Sequence, residues 1–202
     1  MTTCIKNAII VNNGEKIIGS VIIDNGIITA VRANEPELDI ACDNIIDAHQ
    51  CFLLPGVIDD HVHFRDPGLT HKADMFTESA AAAAGGVTSF MDMPNCKPQT
   101  TTLEALEDKF KMAAEKSIVN YSFYFGATND NTALFSQLDK THVCGIKLFM
   151  GASTGNMLVD NPDALKQIFS KANMLIATHC EDPTIIQWNT ELVKMKHGDD
   201  PD

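Results

Sequence analysis

The stretch Leu-Pro-Gly-Val-Ile-Asp-Asp-His-Val-His-Phe-Arg-Asp-Pro-Gly, residues 54–68, decides the fold and points to a site. Residues 57–64 are typical of a short buried strand, because Pro-Gly pairs bound an apolar run on both sides. Alternate side chains of a strand share a face, so four polar residues are expected together: Asp59, His61, His63 and Arg65. Neighbouring imidazoles are costly to bury alone, and a divalent metal ion would remove that cost. The alternative is a polar pair on a half-exposed strand.

Predicted strands and helices alternate after this stretch. The strands cover residues 57–64, 87–93, 118–125, 144–150 and 174–179, and the helices cover 74–84, 101–117, 131–138, 161–171 and 183–196. Thr101 and Glu104 have the spacing of a capping box at the start of the second helix. Repeated strand–helix units indicate an α/β fold with a parallel sheet, and the lack of a Gly-x-Gly-x-x-Gly after any strand disfavours a dinucleotide-binding sheet. We therefore predict a (β/α)8 TIM-type barrel with its first five βα units present, since a whole barrel typically needs about 250 residues.

The barrel is preceded by a smaller unit. Residues 1–53 are predicted to form a small N-terminal β-sandwich unit, because apolar runs are separated by Asn-Gly at positions 13–14 and 25–26, a strong hairpin signal. Residues 54–202 are predicted to form part of this barrel, which continues beyond the chain, because an open arc of strands would leave a buried edge unpaired.

Composition excludes several classes of partner. The 202 residues carry a net charge of −12 with 45% hydrophobic residues, which argues against nucleic acid and anionic membrane surfaces. No apolar run approaches the roughly 20 residues that span a bilayer, and no secretory signal is evident at the N-terminus. The six cysteines are scattered without a Cys-x-x-Cys pair, which favours free thiols and a cytoplasmic location.

Residues that carry chemistry fall at the predicted strand ends, where barrel enzymes place their active sites. They are His61, His63, Asp92, Asn95, Lys147 and His179. Lys147 lies in an apolar strand, where burial would lower its pKa and leave a neutral amine. Such an amine can take up carbon dioxide to become a carbamate, an anionic oxygen ligand able to bridge two metals. The alternative is a lysine that snorkels to the barrel rim.

The remaining candidates also allow two interpretations. His179 precedes acidic residues at a strand end, which favours a metal ligand over a core histidine bonded to a carbonyl. Arg65 presents a planar fork that matches a carboxylate, and Asn95 adds a donor, so together they suggest a small anionic substrate. The alternative for Arg65 is a structural salt bridge.

Four motifs together resemble the dihydroorotase family of the cyclic amidohydrolase superfamily. They are Asp-His-Val-His-Phe-Arg-Asp-Pro-Gly (60–68), Met-Asp-Met-Pro-Asn-Cys-Lys-Pro (91–98), Gly-Ile-Lys-Leu-Phe-Met-Gly (145–151) and Thr-His-Cys-Glu (178–181). The resemblance covers nearly the whole chain. Allantoinases and dihydropyrimidinases share the metal pattern but usually lack this arginine and this asparagine.

The resemblance implies a centre of two Zn²⁺ ions, with His61 and His63 on one metal, carboxylated Lys147 as the bridge and His179 on the second. Arg65 and Asn95 would hold the carboxylate of dihydroorotate, whose cyclic amide is hydrolysed reversibly to N-carbamoylaspartate in pyrimidine biosynthesis. The family supplies a further histidine ligand from the sixth strand, and from the eighth an aspartate that is the general acid and base. Both are expected beyond residue 202, so no acid or base is predicted within the chain.

Three functions stay open from the sequence. The first is a dihydroorotase, the second a related cyclic amidohydrolase of the allantoinase or dihydropyrimidinase type, and the third a non-catalytic dihydroorotase-like partner subunit. The retained metal ligands argue against the third. A homodimer is compatible with each of them.

Overall fold

The computed structural model describes residues 1–37, 41–151 and 155–199. The chain divides into two units, Met1–Gly56 and Val57–Asp202, a boundary close to the one predicted after residue 53.

The first unit is a five-stranded sheet. Its strands are β1 (Thr2–Asn12), β2 (Glu15–Asp24), β3 (Ile27–Ala33), β4 (Asn44–Asp47) and β5 (Phe52–Leu53). The order is β3-β2-β1-β4, and β5 also pairs with β1. The described residues of this unit form one sheet, so the predicted sandwich is not confirmed.

Two tight turns join the antiparallel strands of this sheet. Asn13 and Gly14 have φ of 50° and 80°, and Asn25 and Gly26 have φ of 49° and 81°. Positive φ at both central residues is what a type I′ hairpin turn requires, and Asn-Gly supplies it at low cost. Both predicted hairpins are confirmed.

The prediction that all six cysteines are free thiols was wrong for one pair. Cys4 and Cys42 form a disulfide with their Cα atoms 6.1 Å apart. The start of β1 lies beside the segment that leads into β4, where the amide of Thr2 donates to Asp43 Oδ2 at 2.7 Å. This proximity comes from strand pairing across the sheet, which the spacing of cysteines in the sequence does not reveal. The other four cysteines are free.

The second unit alternates strands and helices along a parallel sheet. Its elements are β6 (Val57–Val62), α1 (Met75–Ala84), β7 (Val87–Asp92), α2 (Leu103–Lys116), β8 (Asn120–Gly126), a 3-10 helix (Thr132–Gln137), β9 (Val143–Phe149), α3 (Pro162–Lys171), β10 (Ile176–His179) and α4 (Pro183–His197). The strands lie in chain order, β6 to β10, as in a barrel. The helix predicted over residues 131–138 is thus a 3-10 helix.

Side-chain caps begin the α-helices. Asp74, Asn161 and Asp182 accept hydrogen bonds from backbone amides in the first turns of α1, α3 and α4. In α2 the cap is Thr102, whose Oγ1 accepts from the amide of Ala105 at 3.2 Å, so the capping box predicted from Thr101 was wrong by one residue. Both threonines suit the position, and the backbone decides between them.

The parallel sheet curls into half a barrel. The hydroxyl of Tyr124 on β8 donates to the carbonyl of Asp60 on β6 at 3.1 Å and so reaches across β7. The core lies between the sheet and the helices and contains large buried side chains, among them Phe90, Phe123, Phe125, Ile146, Leu148 and Ile168.

The edges of the half-barrel differ from prediction. Val57 and Ile58 of β6 are exposed, although a buried strand was predicted there, because β6 has one neighbouring strand, β7, among the described residues. The residues of α4 are exposed as well. Among the described residues, no helix combines the length and apolar composition that crossing a bilayer requires.

Candidate active site

The two histidines of the motif lie side by side at the end of β6. Their ring centroids are 5.3 Å apart, as expected for alternate residues on one face. The face-sharing stops before Arg65, because β6 ends at Val62 and Arg65 has a left-handed φ of 63°. The prediction that Arg65 continues the alternation was therefore wrong.

His63 is joined to Asn95 in the loop after β7. Nδ1 of His63 lies 2.7 Å from Oδ1 of Asn95. An amide oxygen can only accept, so Nδ1 carries the proton and Nε2 keeps its lone pair. Burial lowers the pKa of His63, and the hydrogen bond that His63 donates to Asn95 opposes that shift only in part. A lowered pKa favours the neutral ring, the form that binds metals.

The loops that carry Arg65 and Asn95 are joined by a backbone hydrogen bond. The amide of Lys97 donates to the carbonyl of Pro67 at 3.0 Å. Gly68 has a φ of +81°, and a Cβ placed on it would lie 2.0 Å from the carbonyl oxygen of Lys97. The two backbones approach so closely that only glycine fits.

Lys147 is buried on β9. The residue is 3% exposed, and burial lowers the pKa of its amine. Nζ lies 4.9 Å from the ring centroid of Phe149, and no ion pair of Lys147 is found within the described ranges. The structure thus supports a buried amine with a lowered pKa and not the snorkelling alternative.

Lys147 and His179 both lie close to the ring of Phe149. Residues 147 and 149 pair with 177 and 179 of β10, and the rings of Phe149 and His179 are 6.1 Å apart between centroids. Nε2 of His179 lies 3.1 Å from Oε2 of Glu181. A carboxylate on one ring nitrogen orients a histidine so that its other nitrogen can bind a metal.

The predicted residues thus form two groups. His61, His63 and Asn95 are in contact at the ends of β6 and β7, and Lys147 and His179 lie at the ends of β9 and β10. Within the described residues, no three side chains of the His, Cys, Asp and Glu types form a metal-binding cluster. The donor types nevertheless fit zinc, since imidazole nitrogen and anionic oxygen are its usual ligands and both are supplied at strand ends.

Asp92 does not belong to this site. Its side chain points to the helix-covered face of the sheet, where Oδ2 lies 2.7 Å from Nζ of Lys109 in α2. Our sequence reasoning overlooked Lys109, although it falls between Leu106 and Ala113 on the buried side of α2. A lysine in an apolar stripe was the available signal.

Comparisons with known proteins show which family the sequence matches. The profile of the amidohydrolase family matches residues 52–200. A dihydroorotase from Methanosphaera stadtmanae is 34% identical over 190 residues, which cover 94% of this chain and 42% of that protein. An allantoinase from Streptomyces avermitilis is 36% identical over 163 residues, which cover 78% of this chain and 36% of that protein.

The fold matches solved structures as well. The structure of an L-hydantoinase (dihydropyrimidinase) from Arthrobacter aurescens aligns with a TM-score of 0.86 and 30% identity, over 98% of this chain and 45% of that one. The chain spans less than half the length of these relatives.

Proposed function

We propose that this chain, which belongs to the amidohydrolase family, carries part of the active site of a zinc-dependent dihydroorotase. The observation that supports the proposal is the hydrogen bond between His63 and Asn95, together with the backbone contact between the loop that carries Arg65 and the loop that carries Asn95. A carboxylate-binding arginine beside metal-binding residues suits a cyclic amide that bears a carboxylate, and dihydroorotate is such a substrate.

The metal ligands are proposed as the sequence predicts them. His61 and His63 would hold one Zn²⁺ and His179 the other, and Lys147 would bridge them after carboxylation. In that step the neutral amine of Lys147 adds to carbon dioxide and releases a proton, and its lowered pKa favours the neutral form. When bound, zinc supplies a Lewis acid and lowers the pKa of water.

The protein residues orient the substrate and the metal ligands. Asn95 would use Oδ1 to fix the ring of His63, which leaves its two Nδ2 protons for the substrate carboxylate. Arg65 would hold the same carboxylate with its planar fork. The proton-transferring aspartate and a further histidine are proposed to follow residue 202. We also propose a cytoplasmic location and the pairing of two copies.

A related cyclic amidohydrolase is the second candidate, because the allantoinase of Streptomyces avermitilis is as similar in identity as the dihydroorotases. Allantoin and dihydrouracil carry no carboxylate, so Arg65 would lack its anionic partner in those reactions. A non-catalytic partner subunit is the third, and it would not need the ligands.

The test is turnover of dihydroorotate, allantoin and dihydrouracil by the full-length protein. We expect dihydroorotate to be preferred, and we expect Arg65→Gln to raise its KM by about a hundredfold, because a charge-assisted pair is lost. Lys72→Gln, in the same loop and exposed, is the control and should change nothing. A preference for allantoin that Arg65→Gln leaves intact would favour the related cyclic amidohydrolase. A content of less than about one zinc per subunit would favour the non-catalytic partner subunit.

A further inference from the structure

We infer that the buried ion pair between Asp92 and Lys109 is a positioning device that sets both substrate-binding loops. Oδ2 of Asp92 lies 2.7 Å from Nζ of Lys109, and the two side chains are 1% and 0% exposed. Within the described residues, neither side chain hydrogen-bonds to a proposed metal ligand or carboxylate-binding residue, and each instead hydrogen-bonds to the backbone of a loop residue.

Each member of the pair holds one loop. Oδ1 of Asp92 accepts from the amide of Phe64 at 2.9 Å, and Phe64 stands between His63 and Arg65. Nζ of Lys109 donates to the carbonyl of Met93 at 3.0 Å, two residues before Asn95. One ion pair on the far side of the sheet therefore fixes the backbone next to both proposed carboxylate-binding residues.

Stability alone does not account for these charges. Removing two charges from water costs several kcal/mol by general estimates, and an apolar pair of similar volume is often as stable. The surroundings of Lys109 are apolar, since Nζ lies 4.8 Å from the ring centroid of Phe123. What an apolar pair cannot supply is an acceptor for the Phe64 amide and a donor for the Met93 carbonyl.

The test compares variants of the full-length protein, and its substrate arm rests on the proposed function. Lys109→Met should lower the melting temperature, because it leaves the buried Asp92 carboxylate without a cationic partner. The double variant Asp92→Leu with Lys109→Met should recover part of that loss, because no charge stays buried without a partner, although the Phe64 amide and the Met93 carbonyl remain unpaired. We expect this double variant to keep kcat within about threefold while its KM for dihydroorotate rises at least about tenfold, because the two loops lose their alignment.

A second measurement does not depend on turnover. Hydrogen exchange of the Phe64 amide should become at least about tenfold faster in the same double variant, because its acceptor is gone. Lys111→Met is the matched control on α2, where the exposed Lys111 pairs with Glu107 at 2.8 Å. It should change neither the KM for dihydroorotate nor the exchange rate of the Phe64 amide. If dihydroorotate is not turned over by the unaltered protein, the proposed function fails and the exchange rate still decides this inference.

The inference is overturned if the double variant is folded and has the KM and the Phe64 exchange rate of the unaltered protein. Should the double variant not fold, Lys109→Gln replaces it. Glutamine is shorter than lysine and cannot reach Asp92 and Met93 together, so the Met93 carbonyl loses its donor and KM should rise by at least about fivefold. An unchanged KM in Lys109→Gln would equally overturn the inference.

Discussion

Nδ1 of His63 lies 2.7 Å from Oδ1 of Asn95, and this hydrogen bond joins the end of β6 to the loop after β7. Asn95 therefore has two faces: an oxygen that fixes a proposed metal ligand and an amino group that remains for a substrate. The two functions can be separated, because aspartate keeps the acceptor and loses the donor.

Asn95→Ala should weaken zinc binding about 10–100-fold, as removal of a partner of a metal-bound histidine commonly does, and should also raise the KM for dihydroorotate. Asn95→Asp should retain zinc affinity while KM rises, since its charge repels the substrate carboxylate. Zinc competition with a chromophoric chelator and steady-state kinetics separate the effects. Equal zinc affinities in the two variants would contradict the orienting function of Asn95.

Lys147 predicts a pH dependence of stability in the metal-free protein. Burial lowers its pKa from the ordinary 10.5, so the unfolded chain binds this proton more tightly than the folded chain. The free energy of unfolding should therefore rise with pH from the folded pKa up to the unfolded one, and part of that rise comes from Lys147. Lys147→Met should remove this part and stabilise the metal-free protein near neutral pH by about 1 kcal/mol or more. Urea unfolding with a chelator at several pH values measures both, and an unaltered slope would count against the buried amine.

Gly68 and Gly86 form a matched pair of substitutions. Both have positive φ, +81° and +86°, but a Cβ at Gly86 meets nothing within 4 Å, whereas at Gly68 it overlaps the carbonyl of Lys97. Gly86→Ala should cost about 1–2 kcal/mol from the backbone alone. Gly68→Ala should cost more and should also raise the KM for dihydroorotate, because the two loops must separate. Urea unfolding and kinetics test this, and similar effects of the two substitutions would refute it.

Cys144 should react more slowly than the exposed thiols of Cys51 and Cys180. Burial raises its pKa to about 11, so the thiolate is scarce at neutral pH. We expect iodoacetamide at about pH 8 to label it at least about tenfold more slowly than those two thiols in the folded protein. Peptide mapping by mass spectrometry locates the label, and Cys144→Ser identifies the late peptide. Labelling of Cys144 in the folded protein at the rate of a free peptide thiol would contradict the burial.

Local signals in the sequence were sufficient for much of the fold. Both Asn-Gly turns were predicted, because Asn and Gly favour the backbone conformation that these turns require. The His61–His63 pair was predictable for the same reason, since strand alternation is a local property.

Contacts between distant residues were not predictable in this way. The Asp92–Lys109 pair and the Cys4–Cys42 disulfide join residues that only the folded backbone brings together. The exposure of Val57 depends on which strands flank β6, and no neighbouring residue in the sequence specifies that. The left-handed backbone of Arg65 likewise ended an alternation that the strand pattern alone would have continued.

The hydrogen bond from Tyr124 to Asp60 has a consequence for synthesis on the ribosome. It needs only β6, β7 and β8, so the bend of the sheet can form once residue 126 has emerged, before β9 exists. The histidine pair and Asn95 would then already be in place when Lys147 is added to the growing polypeptide. The later strands β9 and β10 would then pair with a sheet of three strands that is already bent.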